Sequence, residues 1–188
     1  MKKILFLGGS SPIGQSCMET FLKKNFKVTY IGRKKVKINN KNLHFKKFDF
    51  QEKSKLNLKY KNLISKSDFS HICFIQRSRS EKNQIDSEIN ISIKPTINII
   101  EQFIKHNRYK KNKTKKSILI FTSPASRKIA LEQPISYHLG KAMVDQIVRF
   151  YSLQLAKINC NINAISPAFV LKKRAEKFYK DNKKLTNL

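Results

Sequence analysis

Short apolar runs recur along the chain, and polar turns or segments with helical spacing separate them. Each run is short enough for a strand, and the strand formers isoleucine, valine and phenylalanine are common in them. The predicted strands are 3–7, 26–32, 43–48, 69–75, 117–122 and 160–165. Residues 118–121 are all apolar, which is typical of a strand that is buried on both faces of a parallel sheet. Strands that alternate with helical segments predict an α/β fold with a parallel sheet.

Three segments between the strands carry apolar residues at helical spacing. They cover residues 13–24, 85–104 and 134–157. In the second segment isoleucine recurs at every third or fourth position, which predicts one continuous apolar face. The isoleucines are Ile85, Ile89, Ile93, Ile97, Ile100 and Ile104. Pro95 lies inside this helix and should bend it, because proline lacks the amide hydrogen that the helix ladder needs.

Length and composition fit a single domain with its own core. The alternating pattern ends near residue 170, and residues 171–188 form a short basic tail. Apolar runs are too short for a membrane span, and the run at the N-terminus is also too short for a signal peptide. The three cysteines lack the spacing of a metal site, so neither a metal nor a membrane is expected. Scattered, odd-numbered cysteines indicate reduced thiols, which predicts a cytoplasmic protein.

A formal net charge of +28 raises the question of a nucleic-acid partner, since clustered lysine and arginine neutralise phosphates. The lysines are scattered over predicted helix faces and loops, and lysine, asparagine and isoleucine are abundant together. The densest group, residues 110–116, lies in a predicted loop. This distribution indicates a compositional bias and not a nucleic-acid site, although a basic surface would attract acidic substrates or partners.

A glycine-rich loop, Gly8 to Gly14, joins the first strand to the first helix. Glycines let the backbone approach a phosphate closely, and a helix N-terminus offers unpaired N–H groups and a positive dipole end. An ordinary tight turn would need the same residue types. The order of strand, glycine-rich turn and helix at the start of an α/β chain favours a dinucleotide site.

Several residues follow the carboxyl ends of predicted strands, where ligands bind in open α/β sheets. These residues are Arg33, Asp49, Gln76, Ser123 and Pro167. An acidic residue after the second strand accepts from the ribose 2′-hydroxyl of NAD, whereas an arginine accommodates the 2′-phosphate of NADP. Two lysines follow Arg33 and no acidic residue is present there, which favours NADP over NAD.

Tyr137 and Lys141 are four residues apart, so they share one face of the third predicted helix. An ammonium group beside a phenol stabilises the phenolate, which lets tyrosine exchange a proton with a substrate. In a lysine-rich chain this spacing also arises by chance. Ser123, at the end of the preceding strand, supplies a hydroxyl that could reach the same substrate.

These features together resemble the short-chain dehydrogenase/reductase family, in the same order from the first strand to about Val170. Gly8 to Gly14 is similar to the family's cofactor loop, and Tyr137 with Lys141 resembles its active-site pair. Further similarities are Ser123 to the catalytic serine, Asn90 to the helix-bending active-site asparagine, Asp49 to the acid at the adenine end, and 163–168 to the segment after the sixth strand.

The resemblance implies a Rossmann-type doubly wound parallel sheet of about six strands, without the family's usual last strand. It implies an NAD(P)-binding domain with the active site at 1–170, and a basic tail at 171–188. The implied cofactor-binding residues are Gly8, Gly9, Ser10, Ser11, Ile13, Gly14, Arg33, Asp49, Gln76, Tyr137, Lys141, Pro167, Phe169 and Val170.

The chain also departs from the family pattern. Leu7 replaces the usual threonine, and Pro12 replaces the middle glycine of the loop. Residues 76–79, Gln-Arg-Ser-Arg, stand in place of the expected Asn-Asn-Ala-Gly. Ala168 replaces a glycine, and the segment that shapes the substrate pocket in the family is short here.

The resemblance implies an NADP-dependent oxidoreductase that transfers hydride between the nicotinamide and a small-molecule carbonyl or alcohol substrate. The substrate class stays open among a sugar, an acyl-carrier thioester, a steroid-like compound and a small ketone. In this assignment Tyr137 exchanges the proton, and Lys141 supports Tyr137 and the nicotinamide ribose. Ser123 orients the substrate oxygen, and Asn90 positions a water for proton relay. The alternative is a cofactor-binding member that is catalytically weak or regulatory. The helices around 85–106 and 135–157 are expected to form a homodimer.

Overall fold

The computed structural model of the chain describes residues 1–51, 56–110, 114–167 and 170. Its strands are β1 Lys3–Leu7, β2 Lys27–Gly32, β3 Leu43–Lys47, β4 His71–Phe74, β5 Lys116–Phe121 and β6 Cys160–Ile165. Its helices are α1 Pro12–Lys23, α2 Leu56–Ser65, α3 Gln84–Glu88, α4 Lys94–Asn107 and α5 Ile135–Ala156, with a π-helical segment Ile89–Ile93 between α3 and α4 and a 3₁₀ turn Pro124–Ser126 before α5.

The six strands form one parallel sheet in the order β3-β2-β1-β4-β5-β6. The predicted α/β fold with a doubly wound parallel sheet is confirmed. Strand order reverses between β1 and β4, and in such sheets a crevice opens at this switch point outside the carboxyl ends of the strands. The loops that follow β1 and β4 therefore meet at the place where a ligand is expected.

Helices pack on both faces of the sheet. Helix α1 covers one face through Met18 and Leu22, which pack with β1 and β2 side chains. Helices α2, α4 and α5 cover the other face, where Phe103 and Leu155 are fully buried. Successive residues of β1 enter the two clusters in turn, because side chains alternate across a strand.

Strand β5 differs from the prediction that both of its faces are buried. Ile118 and Ile120 are buried against the helices, but Leu119 and Phe121 on the opposite face are half-buried. Among the described helices only α1 packs on that face, and it contacts mainly β2. A continuously apolar run therefore overstated the burial of this strand.

The predicted long helix at 85–104 is interrupted just before Pro95, as this proline suggested. Its apolar face is not the single continuous stripe that the sequence predicted. The π-helical segment Ile89–Ile93 inserts an extra residue into the turn immediately before α4. Because each extra residue rotates a helix face by about 100°, the stripe loses its phase there. Ile100 and Ile104 are buried, whereas Ile85 is 48% exposed and Ser87 and Glu88 take the buried positions of α3.

Within the described residues, no helix is long and apolar enough to cross a membrane. The three cysteines are free thiols, and Cys73 and Cys160 are buried. In the same residues, no three histidine, cysteine or acidic side chains lie together as metal ligands.

Candidate active site

A groove of about 440 Å³ opens at the switch point between β1 and β4. Gly8 follows β1 with a φ of +81°, a backbone conformation that suits glycine. A Cβ atom at Gly8 would lie 2.6 Å from the backbone nitrogen of Gln76, so only glycine allows the two loops this close approach. The groove lining includes Gly8, Ser10, Ser11, Pro12, Gly32, Arg33, Asp49 and Gln76.

The remaining loop residues fix the start of α1. A Cβ atom at Gly14 would lie 2.7 Å from the Gly8 carbonyl oxygen, and one at Gly9 would lie 2.9 Å from the Met18 sulfur and the Tyr30 Cβ. Ser11 caps the helix, since its Oγ accepts from the Gly14 N–H at 3.1 Å. Pro12 occupies the first turn, where its missing N–H and fixed φ are tolerated. The proline that replaces the family's glycine is thus accommodated by the helix start.

This cradle fits the pyrophosphate of a dinucleotide. Tight glycine packing lets the loop backbone line the groove, and the N-terminus of α1 points its positive dipole end toward this loop. Ser10 is exposed at the groove, whereas Ile13, in the first turn of α1, is half-buried against the core. Ile13 can therefore contribute its backbone but not its side chain to a bound phosphate.

Arg33 and Asp49 lie at the end of the groove formed by β2 and β3. Arg33 is exposed and follows Gly32, where a Cβ atom would meet only Ser10 Oγ at 3.6 Å. Asp49 is half-buried, and its Oδ1 accepts from the Gln51 N–H at 3.0 Å. One carboxylate oxygen is thus used to form the turn, and an exposed guanidinium provides the cation in this part of the groove.

Gln76 lines the groove mainly through its position after β4. Its side chain is buried and donates from Nε2 to Thr96 Oγ1 of α4 at 2.9 Å. Its Oε1 atom is buried without a hydrogen-bond partner within the described parts of the chain. The amide therefore ties the β4 loop to α4, and its backbone is what approaches Gly8.

Tyr137 and Lys141 lie one turn apart near the start of α5. The Lys141 Nζ is 5.5 Å from the centroid of the Tyr137 ring and donates to the Phe121 carbonyl at 2.9 Å. Phe121 ends β5, so this bond holds the ammonium group at the carboxyl edge of the sheet. The half-buried tyrosine ring and the buried ammonium are thereby brought together beside the residues that follow β5.

Burial changes the acid–base behaviour of Lys141, which is only 4% exposed. Loss of hydration lowers its pKa from 10.5 to about 8, an effect that the nearby Glu88 carboxylate opposes and the Arg77 guanidinium reinforces. Asp145 also favours the charged form. At neutral pH Lys141 is still mostly in its ammonium form, because neutral pH lies below its pKa of about 8.

Ser123 lies two residues after β5 and caps the 3₁₀ turn, with its Oγ accepting from the Ala125 N–H at 3.3 Å. His138 holds this loop against α5, since its Nδ1 lies 2.8 Å from the Ala125 carbonyl oxygen and its Nε2 lies 3.1 Å from that of Ala130. The serine hydroxyl keeps its own hydrogen for another acceptor. His138 was not recognised from the sequence, although it stands beside Tyr137.

Asn90 lies in the π-helical segment, as expected for a residue at a bend, but its side chain is engaged elsewhere. Its Oδ1 accepts from Lys94 Nζ at 2.9 Å on the exposed side of the same helix. Ile91, the next residue, lines the groove instead. The structure therefore places the bend beside the site without directing the Asn90 amide to Tyr137.

Glu88 is a buried carboxylate next to Lys141 that sequence analysis missed. It is 3% exposed, and its Oε2 accepts from the Ser78 N–H at 3.2 Å. A Cβ atom at Gly140 would lie 2.4 Å from Glu88 Cγ, so a glycine near the start of α5 makes room for this side chain. A glycine inside a helical pattern often marks such a close approach, which is the signal that could have identified it.

Arg77 was predicted only as a departure from the family pattern. Its guanidinium carbon lies 4.8 Å from the centroid of the Tyr137 ring, within the range of a cation–π contact. Tyr137 thus has one cation buried in its own helix and a second over its ring.

The described residues after β6 do not extend this site. Pro167 and Val170 line neither the groove nor the cavity beside Tyr137, and Phe169 lies outside the described residues.

A sequence model for the family described as enoyl-(acyl carrier protein) reductase matches residues 73–188. Comparison with curated protein sequences gave no match. The fold is similar to a short chain dehydrogenase from Leptospira borgpetersenii with bound NAD+, at 16% identity and a TM-score of 0.81, over 96% of this chain and 76% of that one. A short chain dehydrogenase family protein from Francisella tularensis is 22% identical, with a TM-score of 0.74, over 100% and 78% of the two chains. One from Burkholderia cenocepacia in complex with NADP is 13% identical, with a TM-score of 0.75, over 94% and 78%.

Proposed function

The chain belongs to the short-chain dehydrogenase/reductase family, and from this premise we propose that it is an NADP-dependent oxidoreductase acting on a carbonyl or alcohol substrate. The observation that carries the proposal is the pairing of Tyr137 with the buried Lys141 ammonium, 5.5 Å from the ring centroid. When bound, the nicotinamide supplies or takes the hydride. The remaining chemistry belongs to the side chains of this protein.

In the reducing direction the Tyr137 hydroxyl donates its proton to the carbonyl oxygen of the substrate. Lys141 carries a positive charge below a pKa of about 8, and this charge stabilises the phenolate that remains. Ser123 donates its hydroxyl hydrogen to the same substrate oxygen and orients it. In the oxidising direction the tyrosine accepts the proton from the alcohol.

The resemblance implies that the Asn90 side chain positions a water for proton relay, and we propose a smaller role for it. Its amide oxygen already accepts from Lys94 Nζ on the exposed side of the helix, so a relay water would need another acceptor. We assign Asn90 to the positioning of the bend.

The proposed cofactor sites follow the groove. The backbone of Gly8, Gly9, Ser10, Ser11, Ile13 and Gly14 would hold the pyrophosphate. Arg33 would pair with a 2′-phosphate, which supports NADP over NAD, since no acidic residue follows β2. Asp49 would contact the adenine end. For Pro167, Phe169 and Val170 a contact with the nicotinamide end rests on the family resemblance alone, since Pro167 and Val170 line neither the groove nor the cavity and Phe169 lies outside the described residues.

A homodimer is proposed on the outer face of α5. Ile135 and Leu139 are four residues apart, Phe150 and Leu153 are three apart, and the eleven residues from Leu139 to Phe150 make about three turns, so these exposed apolar side chains share one face of α5. Leu139 is 42% exposed, Phe150 59% and Leu153 77%, although the opposite side of α5 is buried against the sheet. A second copy of this helix would cover these side chains. This arrangement agrees with the homodimer expected from the helices around 85–106 and 135–157.

The test measures cofactor binding and turnover separately. NADPH binding by calorimetry is expected for the wild-type chain and for Tyr137→Phe, since the ring is retained. Turnover of a panel of small carbonyl compounds should fall by about 10²- to 10⁴-fold in the variant, the usual contribution of a positioned general acid. Equal turnover in both proteins would exclude the assigned mechanism. Binding without turnover in the wild type would favour the alternative, a catalytically weak or regulatory member.

A further inference from the structure

A cavity of about 410 Å³ adjoins the groove at Tyr137. It lies between the loop after β4, helix α3 and the start of α5, and residues 77, 79 and 80 line both the cavity and the groove. Its volume is in the range of small-molecule sites. A substrate in this cavity would have the proposed proton donor on one wall and the cofactor groove on the other side of the loop.

The wall of this cavity is polar. Its side chains are arginine, serine, glutamate, glutamine and tyrosine, with Pro134 as the one purely hydrocarbon residue among the described lining positions. A steroid or a long acyl chain would find little apolar surface there, and its presence would leave polar groups without partners. The lining favours a small, polar substrate.

A cation stands beside the proton donor. The Arg77 guanidinium is held over the Tyr137 ring at 4.8 Å, and its Nε donates to the Ser78 carbonyl at 3.4 Å. Among the described residues, no carboxylate forms an ion pair with Arg77. Arginine presents several donors in a planar fork, which matches a carboxylate or a phosphate better than a neutral group.

Two carboxylates in the cavity wall, those of Glu81 and Glu88, do not neutralise the Arg77 guanidinium. Glu88 is buried, its Oε2 accepts from the Ser78 N–H, and its charge favours the ammonium form of Lys141. Glu81 is exposed. At Tyr137 itself two cations, Arg77 over the ring and Lys141 one turn along α5, stand against the single buried carboxylate of Glu88.

We propose that this cavity receives a small carbonyl compound that carries a carboxylate or phosphate close to its carbonyl group, and that Arg77 binds the anion. The proposal rests on the proposed oxidoreductase function and adds the substrate class to it. A phosphate of the cofactor is the other anion within reach, because Arg77 also lines the groove. The experiment must therefore separate substrate recognition from cofactor recognition.

The kinetic test uses the full chain with NADPH and substrate pairs that differ by one anionic group: pyruvate and methyl pyruvate, acetoacetate and methyl acetoacetate, dihydroxyacetone phosphate and dihydroxyacetone. The kcat/KM of the anionic member of at least one pair should exceed that of its neutral partner by roughly 10- to 100-fold, the range of a hydrogen-bonded charge pair. Arg77→Met should reduce this ratio to near one. Arg108→Met, an exposed arginine at the end of α4, should keep it.

The binding test titrates the NADPH-loaded chain with oxamate and with its neutral analogue oxamide. Oxamate binding that is lost in Arg77→Met and kept in Arg108→Met supports the proposal, even if no carbonyl compound is turned over and the oxidoreductase function itself fails. Wild-type protein that shows no preference for the anion in either test overturns it. So does an Arg77→Met variant that binds NADPH more weakly while the anion preference stays unchanged, since Arg77 would then serve the cofactor.

Discussion

At the scale of single residues, the site depends on one buried lysine. Lys141 is almost fully enclosed, and among the described residues its ammonium has one hydrogen-bond acceptor, the Phe121 carbonyl. Burial of an ammonium group with a single partner disfavours its charged form. The same burial that positions the charge beside Tyr137 therefore also costs folding stability, and this cost should depend on pH.

We expect Lys141 to contribute a rise in the free energy of unfolding between pH 8 and pH 10.5, seen as the difference between the wild type and Lys141→Met, because the buried thiols of Cys73 and Cys160, whose pKa burial raises, act in the opposite direction in both proteins. In this window the unfolded chain, with an ordinary lysine pKa of 10.5, still binds the proton that the folded chain has released at its pKa of about 8. The full difference corresponds to about 3 kcal/mol. Urea unfolding of the wild type and Lys141→Met across this pH range measures it.

The wild-type curve should rise relative to the Lys141→Met curve, and Lys105→Met, which removes an exposed lysine of α4, should follow the wild type. Parallel curves for the wild type and Lys141→Met would show that Lys141 does not release its proton in this window. The groups that act on this proton, Glu88, Arg77 and Asp145, are unchanged in both variants.

Gly140 and Glu88 should be energetically coupled. A Cβ atom at position 140 would lie 2.4 Å from Glu88 Cγ, so Gly140→Ala forces the buried glutamate to move. Overpacking costs roughly 1–3 kcal/mol, and the better helix propensity of alanine offsets about 1 kcal/mol of that. In the Glu88→Ala background the clash is absent, so only the propensity gain should remain.

A double-mutant cycle by urea unfolding isolates the coupling, because the propensity term is the same in both backgrounds. Gly32→Ala serves as a control, since a Cβ atom there meets only Ser10 Oγ at 3.6 Å. If Gly140→Ala had the same effect with and without Glu88, the close packing of these two residues would not determine stability.

At the scale of elements, the N-terminus of α1 combines a structural cap with the proposed phosphate cradle. Ser11 accepts from the Gly14 N–H, and its own hydroxyl donates to the Gly8 carbonyl at 3.0 Å. One side chain thus links the end of β1 to the first turn of α1. Loss of this side chain should affect both stability and cofactor affinity.

Ser11→Ala should lower the free energy of unfolding by about 1 kcal/mol, the typical cost of removing a helix cap. NADPH affinity should fall as well, because the glycine loop loses its closing hydrogen bonds. Ser16→Ala, at an exposed position in the middle of α1, is the matched control and should leave both quantities nearly unchanged. Urea unfolding and calorimetric titration provide the two measurements, and an unchanged stability of Ser11→Ala would contradict the capping role.

At the scale of the whole molecule, α5 has two apolar sides. One side packs on the sheet through Val144, Ile147 and Leu155, and the other exposes Phe150 and Leu153. Exposed apolar side chains that repeat along a helix mark an interaction surface more often than isolated ones do. This pattern is the physical basis for the proposed homodimer.

Leu153→Glu should shift the chain toward monomer, because two buried carboxylates would face each other across a seam between copies. Sedimentation velocity at micromolar concentration checks the outcome. Ser152→Glu introduces the same charge at the neighbouring exposed position, away from the apolar side, and should leave the dimer intact. A wild-type chain that sediments as a monomer would rule out the dimer.

The fold followed from local patterns. Alternation of strands and helices predicted the parallel sheet, and β6 was predicted with the bounds that the structure has. The glycine loop and the spacing of Tyr137 and Lys141 were also readable, because a tight turn and a shared helix face depend on residues close together in the chain. Solvent exposure was less predictable, as β5 and Ile85 show, because it depends on which helices cover a surface and on the phase of the π-helical segment.

By itself, the amino-acid sequence determined the type and order of the elements and the residues that stand at strand ends. Only the tertiary structure decided which of these side chains meet. It brought Arg77, which follows β4, onto the ring of Tyr137 in α5, and it buried Glu88 against Gly140. It turned the Asn90 amide toward Lys94 instead. Such contacts join segments from separate parts of the chain, and their geometry depends on packing, which no local pattern in a sequence specifies.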